Sequence, residues 1–343
     1  MKLKQFVSGN EALALGAVNG GMKFYVAYPM TPVTSILHYL AVQAKKFKIA
    51  VHHAEDEISA ANMAIGAAYA GMPAMTATSG GGFCLMTEAL GLSAMSEVPL
   101  VIILGMRPGP STGMPTWSSQ GDLLFAINAS QDEFSRIVLT PGDPQEAFQA
   151  GRISQALAWK YQVPVIIITD KNLSESFYTA DKFKLTPKII PPVRSINLAN
   201  SYEHDSCGFS TEDSSEKTRQ TQRRLHKLAL IINDPLLPGP QIFGPKVAKI
   251  TLISWGANKG PVREALKTLP LVNYLHFSCV WPFPQQPFIS LFKIINRQVL
   301  LEANATGQLG KLIRQETGME IKNKLLKYDG RPFFPEEIVK LCR

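Results

Sequence analysis

The stretch "EDEISAANMAIGAAYAGMPAMTATSGGGFCLMTEALGLSAMSEVPLV" (Glu55–Val101) alternates between two patterns. The segment "EISAANMAIGAAYAG" is rich in small apolar residues and predicts a closely packed helix, whereas "PAMTATS" has the length and composition of a short buried strand. A second helical segment, "GFCLMTEALGLSAMS", leads into the apolar run "PLVIILGM". This order predicts an α/β fold with a parallel sheet that carries helices on both faces.

The same alternation extends in both directions from this stretch. Further strands are predicted at "FYVAYP", "IAVHH" and "VPVIIITD", and a helix is predicted from Pro144 to Tyr161. A second α/β unit begins near Lys249, where "KITLISWGANKGPVREALKTL" predicts a strand, a glycine turn and a helix. We therefore expect a first domain at 1–190, a linker with a basic amphipathic helix at 191–245, and a second domain at 246–343.

The composition narrows the class of protein. The chain has 343 residues, of which 45% are hydrophobic and 18% charged, enough for about two globular domains. Its four cysteines form no C-x2-C pair, which argues against a zinc ribbon or an iron–sulfur cluster held by this chain alone. Scattered thiols fit a reducing compartment, and the sequence has neither a secretory leader nor an apolar run of about 20 residues. We expect a cytoplasmic protein that does not enter a membrane.

The net charge of +8 raises the question of nucleic acid as a partner. The segment "KTRQTQRRLHKLALII" concentrates five basic residues on a predicted helix, but no aromatic residues are interleaved with them. We expect a solvated helix face and no nucleic-acid binding.

Polar and glycine residues follow four of the predicted strands. In parallel sheets such positions meet at one edge, where ligands bind. The residues in question are Tyr28, Pro29 and Thr31 after the first strand, Glu57 after the second, Ser79, Gly80 and Gly81 after the third, and Arg107 after the fourth.

Each of these features also has a simpler interpretation. The adjacent His52 and His53 would point to opposite faces of a strand, so we expect no metal site there. "TSGGGF" matches neither a P-loop nor a Rossmann fingerprint and is either a ligand cradle or a tight strand-to-helix turn. Glu57 would lie in the first turn of a buried helix, where a carboxylate suits acid–base chemistry. Glu55 and Asp56 are equally acidic, however, and all three are also compatible with the ordinary enrichment of acidic residues at a helix N-terminus.

Several long motifs resemble the α subunit of 2-oxoacid:ferredoxin oxidoreductases, most closely the 2-oxoglutarate type. They include "GNEALALGAVNGGMKFYVAYPMTP", the stretch from Glu55 to Val101, "RPGPSTGMPT" and, near the end of the chain, "WGANKGPVREAL" and "YDGRPFFPEEI". The resemblance covers nearly the whole chain. It implies a thiamine-diphosphate-binding fold with a pyrimidine-type first domain, followed by an α/β domain similar to the C-terminal domain of transketolase.

The resemblance also implies roles for the candidate residues. Glu57 matches the glutamate that pairs with the pyrimidine N1′ of thiamine diphosphate, and Thr31 matches a threonine near the substrate. Arg107 matches an arginine that helps to hold the substrate carboxylate, for which a guanidinium fork is well suited. The turns that contain Tyr28, Pro29, Ser79, Gly80 and Gly81 would contact the cofactor.

A partner chain follows from the same resemblance. The family places the Mg²⁺–diphosphate motif and the [4Fe-4S] ligands on a separate β subunit, so this chain would hold half of an active site in an αβ or (αβ)2 assembly. Ferredoxin would accept the electrons, and coenzyme A would accept the acyl group from the 2-oxoacid.

One position departs from the family pattern. Where a pattern like PT[KR]TEQ has a basic residue, this chain has Trp117. A lost cation would weaken binding of the distal carboxylate of 2-oxoglutarate and would leave pyruvate or a branched-chain 2-oxoacid open, unless the loop does not contact substrate. A non-catalytic assembly subunit with a degenerate site is the rival interpretation.

Overall fold

The computed structural model describes residues 3–185, 198, 200–292 and 297–342. The strands are β1 (Lys4–Ser8), β2 (Phe24–Ala27), β3 (Ala50–His53), β4 (Ala74–Ser79), β5 (Leu100–Met106), β6 (Ile137–Leu139), β7 (Pro164–Asp170), β8 (Phe177–Asp181), β9 (Gln241–Phe243), β10 (Ile250–Trp255), β11 (Val272–Phe277), β12 (Cys279–Trp281), β13 (Arg297–Glu302) and β14 (Asn323–Leu326). The helices are α1 (Gly9–Asn19), α2 (Thr34–Phe47), α3 (Glu57–Tyr69), α4 (Gly80–Leu85), α5 (Thr87–Met95), α6 (Leu123–Asn128), α7 (Pro144–Tyr161), α8 (Lys171–Glu175), α9 (Ser214–Ile231), α10 (Lys259–Leu266), α11 (Gln285–Phe292), α12 (Gln308–Thr317) and α13 (Pro335–Cys342).

The larger sheet has seven strands in the order β12-β6-β7-β5-β4-β2-β3. All neighbouring pairs are parallel except β12 with β6. Its central strands are buried throughout, because helices cover both faces. The predicted parallel α/β arrangement is therefore present.

Alternate residues of β5 supply the cores on the two faces of this sheet. Ile102 and Leu104 pack with the buried residues of α3, α4 and α5, whereas Val101 and Ile103 pack with those of α1, α2 and α7. This division follows from the two-residue period of a strand. Because both faces are covered by helices, polar loops can come together at the carboxyl ends of the strands.

The second sheet has five strands in the order β14-β13-β10-β11-β9, and only β9 runs antiparallel to its neighbour. The α3–α5 core continues into this unit through buried aromatic side chains that include Trp255, Phe277 and Phe288. The short strand β12 leaves the second unit and pairs with β6 of the first, Cys279 opposite Leu139. The two units therefore share both a core and a sheet.

The basic helix predicted between the units is α9. Its five cations all pair with carboxylates of the chain. Arg223 and Lys227 bind the buried Glu97, Arg224 and Lys217 bind Glu203, and Arg219 binds Glu216. The pairs that Arg223 and Lys227 make with Glu97 join this helix to the first unit.

Two local predictions differ from the structure. The segment after β4 is two helices, α4 and α5, with Met86 between them, and the glycines form the first turn of α4 instead of a loop. The strand predicted at "FYVAYP" ends at Ala27, two residues before Pro29. Within the predicted linker at 191–245, residues 191–197 and 199 lie outside the described residues.

Candidate active site

Four neighbouring parallel strands bring the predicted residues to one edge. The order β5-β4-β2-β3 places Arg107, Ser79, the Tyr28–Thr31 turn and the start of α3 side by side. The shared direction of the strands produces this grouping from segments that are distant in sequence.

Glu57 is the first residue of α3, directly after the N-cap Asp56, which accepts a hydrogen bond from the Ser59 backbone N–H at 2.7 Å. The Glu57 side chain is buried with 4% exposure, whereas Glu55 is exposed. Its Oε1 atom has no hydrogen-bond partner. Since buried polar groups are ordinarily paired, this oxygen is an acceptor available to a donor from outside the chain.

The first turn of α4 forms the wall beside this carboxylate. A Cβ atom added at Gly82 would lie 2.5 Å from Glu57 Oε1 and 2.1 Å from Thr78 Oγ1. Any larger side chain would displace the carboxylate or the hydroxyl, so the glycine is needed for close approach. By contrast, a Cβ at Gly81, which is exposed, would meet nothing within 4 Å.

The turn after β2 is held against the two neighbouring strands. The buried Ser79 hydroxyl donates to Met30 Sδ, and Arg107 Nη1 donates to the Thr31 carbonyl at 3.1 Å. A Cβ at Gly105 would lie 2.6 Å from Val33 Cγ1, so the absence of a side chain there lets the turn lie close against β5. Thr31 and Arg107 are thus brought into direct contact.

Arg107 also carries an unused donor. Its Nε atom is buried and has no hydrogen-bond partner. Tyr28 is 39% exposed, with its ring centroid 6.3 Å from that of His53, and Pro29 is half-buried. The edge therefore combines a free acceptor at Glu57, a free donor at Arg107 and an open aromatic ring.

Two further acids lie near this edge, the half-buried Asp122 and the buried Asp170, and neither was predicted from the sequence. A Cβ at Gly80 would lie 2.6 Å from Asp122 Oδ2, and burial raises the pKa of Asp122 to about 6. Burial likewise raises the pKa of Asp170, at the end of β7, to about 6, although the Leu173 backbone N–H and other donors oppose the shift. In the sequence, Asp170 is marked only by its place after an apolar run and Asp122 only by its place after a glycine.

Beside the edge, a fully paired polar network joins the two units, which we call the Gln120 seam. Gln120 Nε2 donates to the Trp255 carbonyl at 3.0 Å, and its Oε1 accepts from Asn258 Nδ2 at 2.8 Å. Glu302 accepts from the Leu309 backbone N–H and from Trp255 Nε1, each at 2.9 Å. This seam holds the loop after Arg107 against the ends of β10 and β13.

A second paired cluster lies at the start of α7. Glu146 accepts from His276 Nε2 at 2.9 Å and pairs with Lys259 Nζ at 2.5 Å, while Tyr274 Oη lies 2.8 Å from His276 Nδ1. Burial alone would raise the pKa of Glu146, but His276 and Lys259 outweigh it and lower that pKa to about 2. The cluster is an internal ion pair between the two units.

Within the described ranges, no group of three His, Cys, Asp or Glu side chains is placed to hold a metal ion. His52 and His53 are both exposed on the edge strand β3. In the same part of the chain, every helix is too short or too polar to cross a membrane.

The geometry at Glu57 fits an aminopyrimidine ring. Such a ring carries a nitrogen that can share a proton with a buried carboxylate, and Glu57 Oε1 is buried and unpaired. The absence of a side chain at Gly82 lets α4 pack against Glu57 without displacing its carboxylate. Thiamine diphosphate contains this ring, so the residues present fit the pyrimidine half of that cofactor.

Comparison with known families gives a consistent result. Residues 15–222 match the family described as "Pyruvate flavodoxin/ferredoxin oxidoreductase, thiamine diP-bdg". The chain is 34% identical over 382 aligned positions to the 2-oxoacid:ferredoxin oxidoreductase subunit alpha of Saccharolobus solfataricus, an alignment that covers 97% of this chain and 60% of that subunit. It is 30% identical to the 2-oxoglutarate synthase subunit KorA of Methanothermobacter thermautotrophicus, with 99% and 98% of the two chains covered. The chain thus spans about 60% of the length of the former relative and nearly all of the latter.

Solved structures agree with the fold. The 2-oxoglutarate:ferredoxin oxidoreductase of Magnetococcus marinus, solved with 2-oxoglutarate, coenzyme A and succinyl-CoA bound, matches with a TM-score of 0.91 and 30% identity over 99% of this chain and 65% of that chain. A split-gene transketolase matches with a TM-score of 0.58 and 12% identity over 98% of this chain and 93% of its own, which shows a shared fold alone. The predicted thiamine-diphosphate-binding fold is confirmed.

Proposed function

Because this chain belongs to the family of 2-oxoacid:ferredoxin oxidoreductase α subunits, we propose that it forms half of the active site of such an enzyme. The reaction would be the coenzyme A-dependent oxidative decarboxylation of a 2-oxoacid, with electrons passed to ferredoxin. The observation that carries the proposal is the buried, unpaired carboxylate oxygen of Glu57 at the start of α3.

Glu57 would hold the aminopyrimidine of thiamine diphosphate by sharing a proton with its ring nitrogen. When bound, that cofactor supplies the nucleophilic carbon and the electron sink that decarboxylation needs. Burial keeps water away from Glu57, so the shared proton would stay between the carboxylate and the ring. Tyr28, Pro29, Ser79, Gly80 and Gly81 would line the cofactor side of the same edge.

Arg107 would bind the 1-carboxylate of the 2-oxoacid. Its Nη1 is already committed to the Thr31 carbonyl, which fixes the guanidinium, while the buried Nε remains free to donate. A charged hydrogen bond of this kind is roughly twice as strong as a neutral one. Thr31 would lie beside the reacting end of the substrate.

The remaining parts of the enzyme would come from a β subunit in an αβ or (αβ)2 assembly in the cytoplasm. That partner would carry Mg²⁺ with the diphosphate and the [4Fe-4S] clusters that lead to ferredoxin. The word "alpha" in the names of the relatives supports a partner chain. Within this chain, 1–190 would bind the cofactor, 191–245 would link the units, and 246–343 would complete the subunit.

We propose 2-oxoglutarate as the substrate. The KorA relative and the structure from Magnetococcus marinus are both named for this 2-oxoacid. The test is a substrate panel on the complex co-expressed with a β subunit, in which coenzyme A-dependent reduction of a viologen dye is measured. We expect the highest kcat/KM with 2-oxoglutarate. A higher value with pyruvate or a branched-chain 2-oxoacid would overturn the substrate assignment, and a complex that retains no thiamine diphosphate would favour an assembly role.

A further inference from the structure

A cation from elsewhere in the chain lies on the face of the Trp117 ring. The guanidinium carbon of Arg331 lies 3.1 Å from the centroid of the Trp117 ring. Arg331 belongs to the segment "YDGRPFF" near the end of the chain, whereas Trp117 lies in the loop after β5. The loop that lacks a basic residue at 117 therefore still carries a positive charge, supplied through a cation–π contact.

The Arg331 side chain has donor capacity to spare. Its Nη1 atom is buried and without a hydrogen-bond partner. Asp329, the acid closest in sequence, accepts the Arg331 backbone N–H at 2.9 Å and approaches Lys327 Nζ at 3.6 Å. A buried N–H of a cation without an acceptor costs free energy, so the site favours an incoming anion.

Contacts along the loop connect Arg331 to Arg107. The Met114 backbone N–H donates to the Pro108 carbonyl at 2.9 Å, which folds the loop back next to Arg107. A Cβ at Gly330 would lie 3.2 Å from Trp117 Cβ and 3.4 Å from Met114 Cε, so the segment with Arg331 packs on this folded loop.

The two guanidinium groups beside this loop thus share one property. Arg107, at the start of the loop, and Arg331, stacked on Trp117, each have a buried nitrogen without a partner. A dicarboxylate offers a separate anionic group to each of them.

We propose that Arg331, held on the Trp117 ring, binds the distal carboxylate of a dicarboxylic 2-oxoacid whose 1-carboxylate is bound by Arg107. This inference rests on the proposed function. It explains how an aromatic residue can stand at 117 without loss of dicarboxylate selectivity, because Trp117 positions a guanidinium instead of providing a cation itself.

The test compares two five-carbon substrates on the co-expressed complex. 2-Oxoglutarate and 2-oxopentanoate differ only in the distal carboxylate. For Arg331→Met we expect kcat/KM for 2-oxoglutarate to fall about 10- to 100-fold, mainly through KM, since a charged hydrogen bond is lost. The value for 2-oxopentanoate should change less than about threefold, and Arg331→Lys should recover part of the loss because it restores the charge.

Arg314→Met is the matched control, because Arg314 is exposed on α12 and makes only a 3.7 Å pair with Glu320. An equal fall for both substrates would show that Arg331 is only a structural support, and an unchanged KM for 2-oxoglutarate would place the distal carboxylate elsewhere. Either result overturns this inference while the proposed function stands. If the wild-type complex oxidises no 2-oxoacid, the proposed function itself fails and this inference falls with it.

Discussion

The edge formed by the carboxyl ends of the strands and the Gln120 seam lie side by side. They differ in whether their buried polar atoms have hydrogen-bond partners. At the edge, Glu57 Oε1 and Arg107 Nε are buried without partners. In the seam, Gln120, Asn258 and Glu302 are as deeply buried, and each of them is hydrogen-bonded.

The difference indicates what each region is for. A buried group that is fully paired stabilises the fold and is costly to break, whereas one left unpaired lowers stability unless a ligand completes it. Residues of the edge should therefore affect activity more than stability, and residues of the paired regions should do the reverse.

The largest effect is expected from Glu57→Gln. The amide cannot share a proton as the carboxylate does, so kcat should fall about 10²- to 10⁴-fold. The thermal unfolding temperature should stay the same or rise, because an unpaired buried carboxylate is removed. Dye-reduction kinetics and thermal unfolding of the same preparations check both halves of this prediction.

Glu55→Gln is the control for that variant, since Glu55 belongs to the same acidic cluster but is exposed. It should leave both activity and stability unchanged. If Glu57→Gln retained the full rate, Glu57 would be only an acidic residue at the N-terminus of α3, without a role in catalysis.

The second effect concerns the paired cluster at α7. Replacement of Glu146 by Gln should lower the free energy of unfolding at pH 7 by about 3 kcal/mol, because the pKa of Glu146 is lowered to about 2 in the folded chain. A carboxyl group whose pKa is lower in the folded chain than in the unfolded chain stabilises the fold at any pH above its unfolded pKa. That stabilisation is lost as the pH falls through the folded pKa. The difference between wild type and variant should therefore shrink from about pH 5 to pH 2. Urea unfolding across this range measures it, and a difference independent of pH would contradict the assignment.

A smaller effect should follow from Gly82→Ala. The added methyl group would meet Glu57 Oε1 and Thr78 Oγ1, so we expect a loss of about 1–3 kcal/mol in stability and a fall in kcat. Gly81→Ala, one position earlier and facing open space, serves as the stability control and should show no such loss. Equal stabilities of the two variants would mean that the wall beside Glu57 is not tight.

The smallest effect is expected from Trp117→Leu. Loss of a partly exposed cation–π contact is worth about 0.5–1 kcal/mol, which corresponds to a rise of about two- to fivefold in KM for 2-oxoglutarate. The KM for 2-oxopentanoate should not move. A rise for both substrates would mean that Trp117 shapes the whole loop instead of positioning Arg331.

Much of this fold could be predicted from sequence because its signals are local. The apolar runs of β4, β5 and β7 are continuous, and α7 begins and ends at the predicted residues Pro144 and Tyr161, after the N-cap Asp143. The grouping of Glu57 with Arg107 followed from the parallel order of the strands alone.

The features that sequence missed depend on contacts between distant segments. The three residues of β12 are a strand only because they reach β6 in the other unit. The pairing of Gln120 with Asn258 and the stacking of Arg331 on Trp117 have no periodic signal. From the sequence, Trp117 indicated that a cation had been lost from this loop. The structure shows that Arg331, which is distant in sequence, supplies a cation there.

If this chain holds one half of a shared cofactor site, thiamine diphosphate binding should depend on both subunits and on Glu57. Equilibrium dialysis with Mg²⁺ should be run on the chain alone, on a β subunit alone and on their complex. We predict that only the complex retains about one cofactor per αβ pair and that the Glu57→Gln complex retains less. Full retention by the β subunit alone, or equal affinity of the wild-type and Glu57→Gln complexes, would contradict the account.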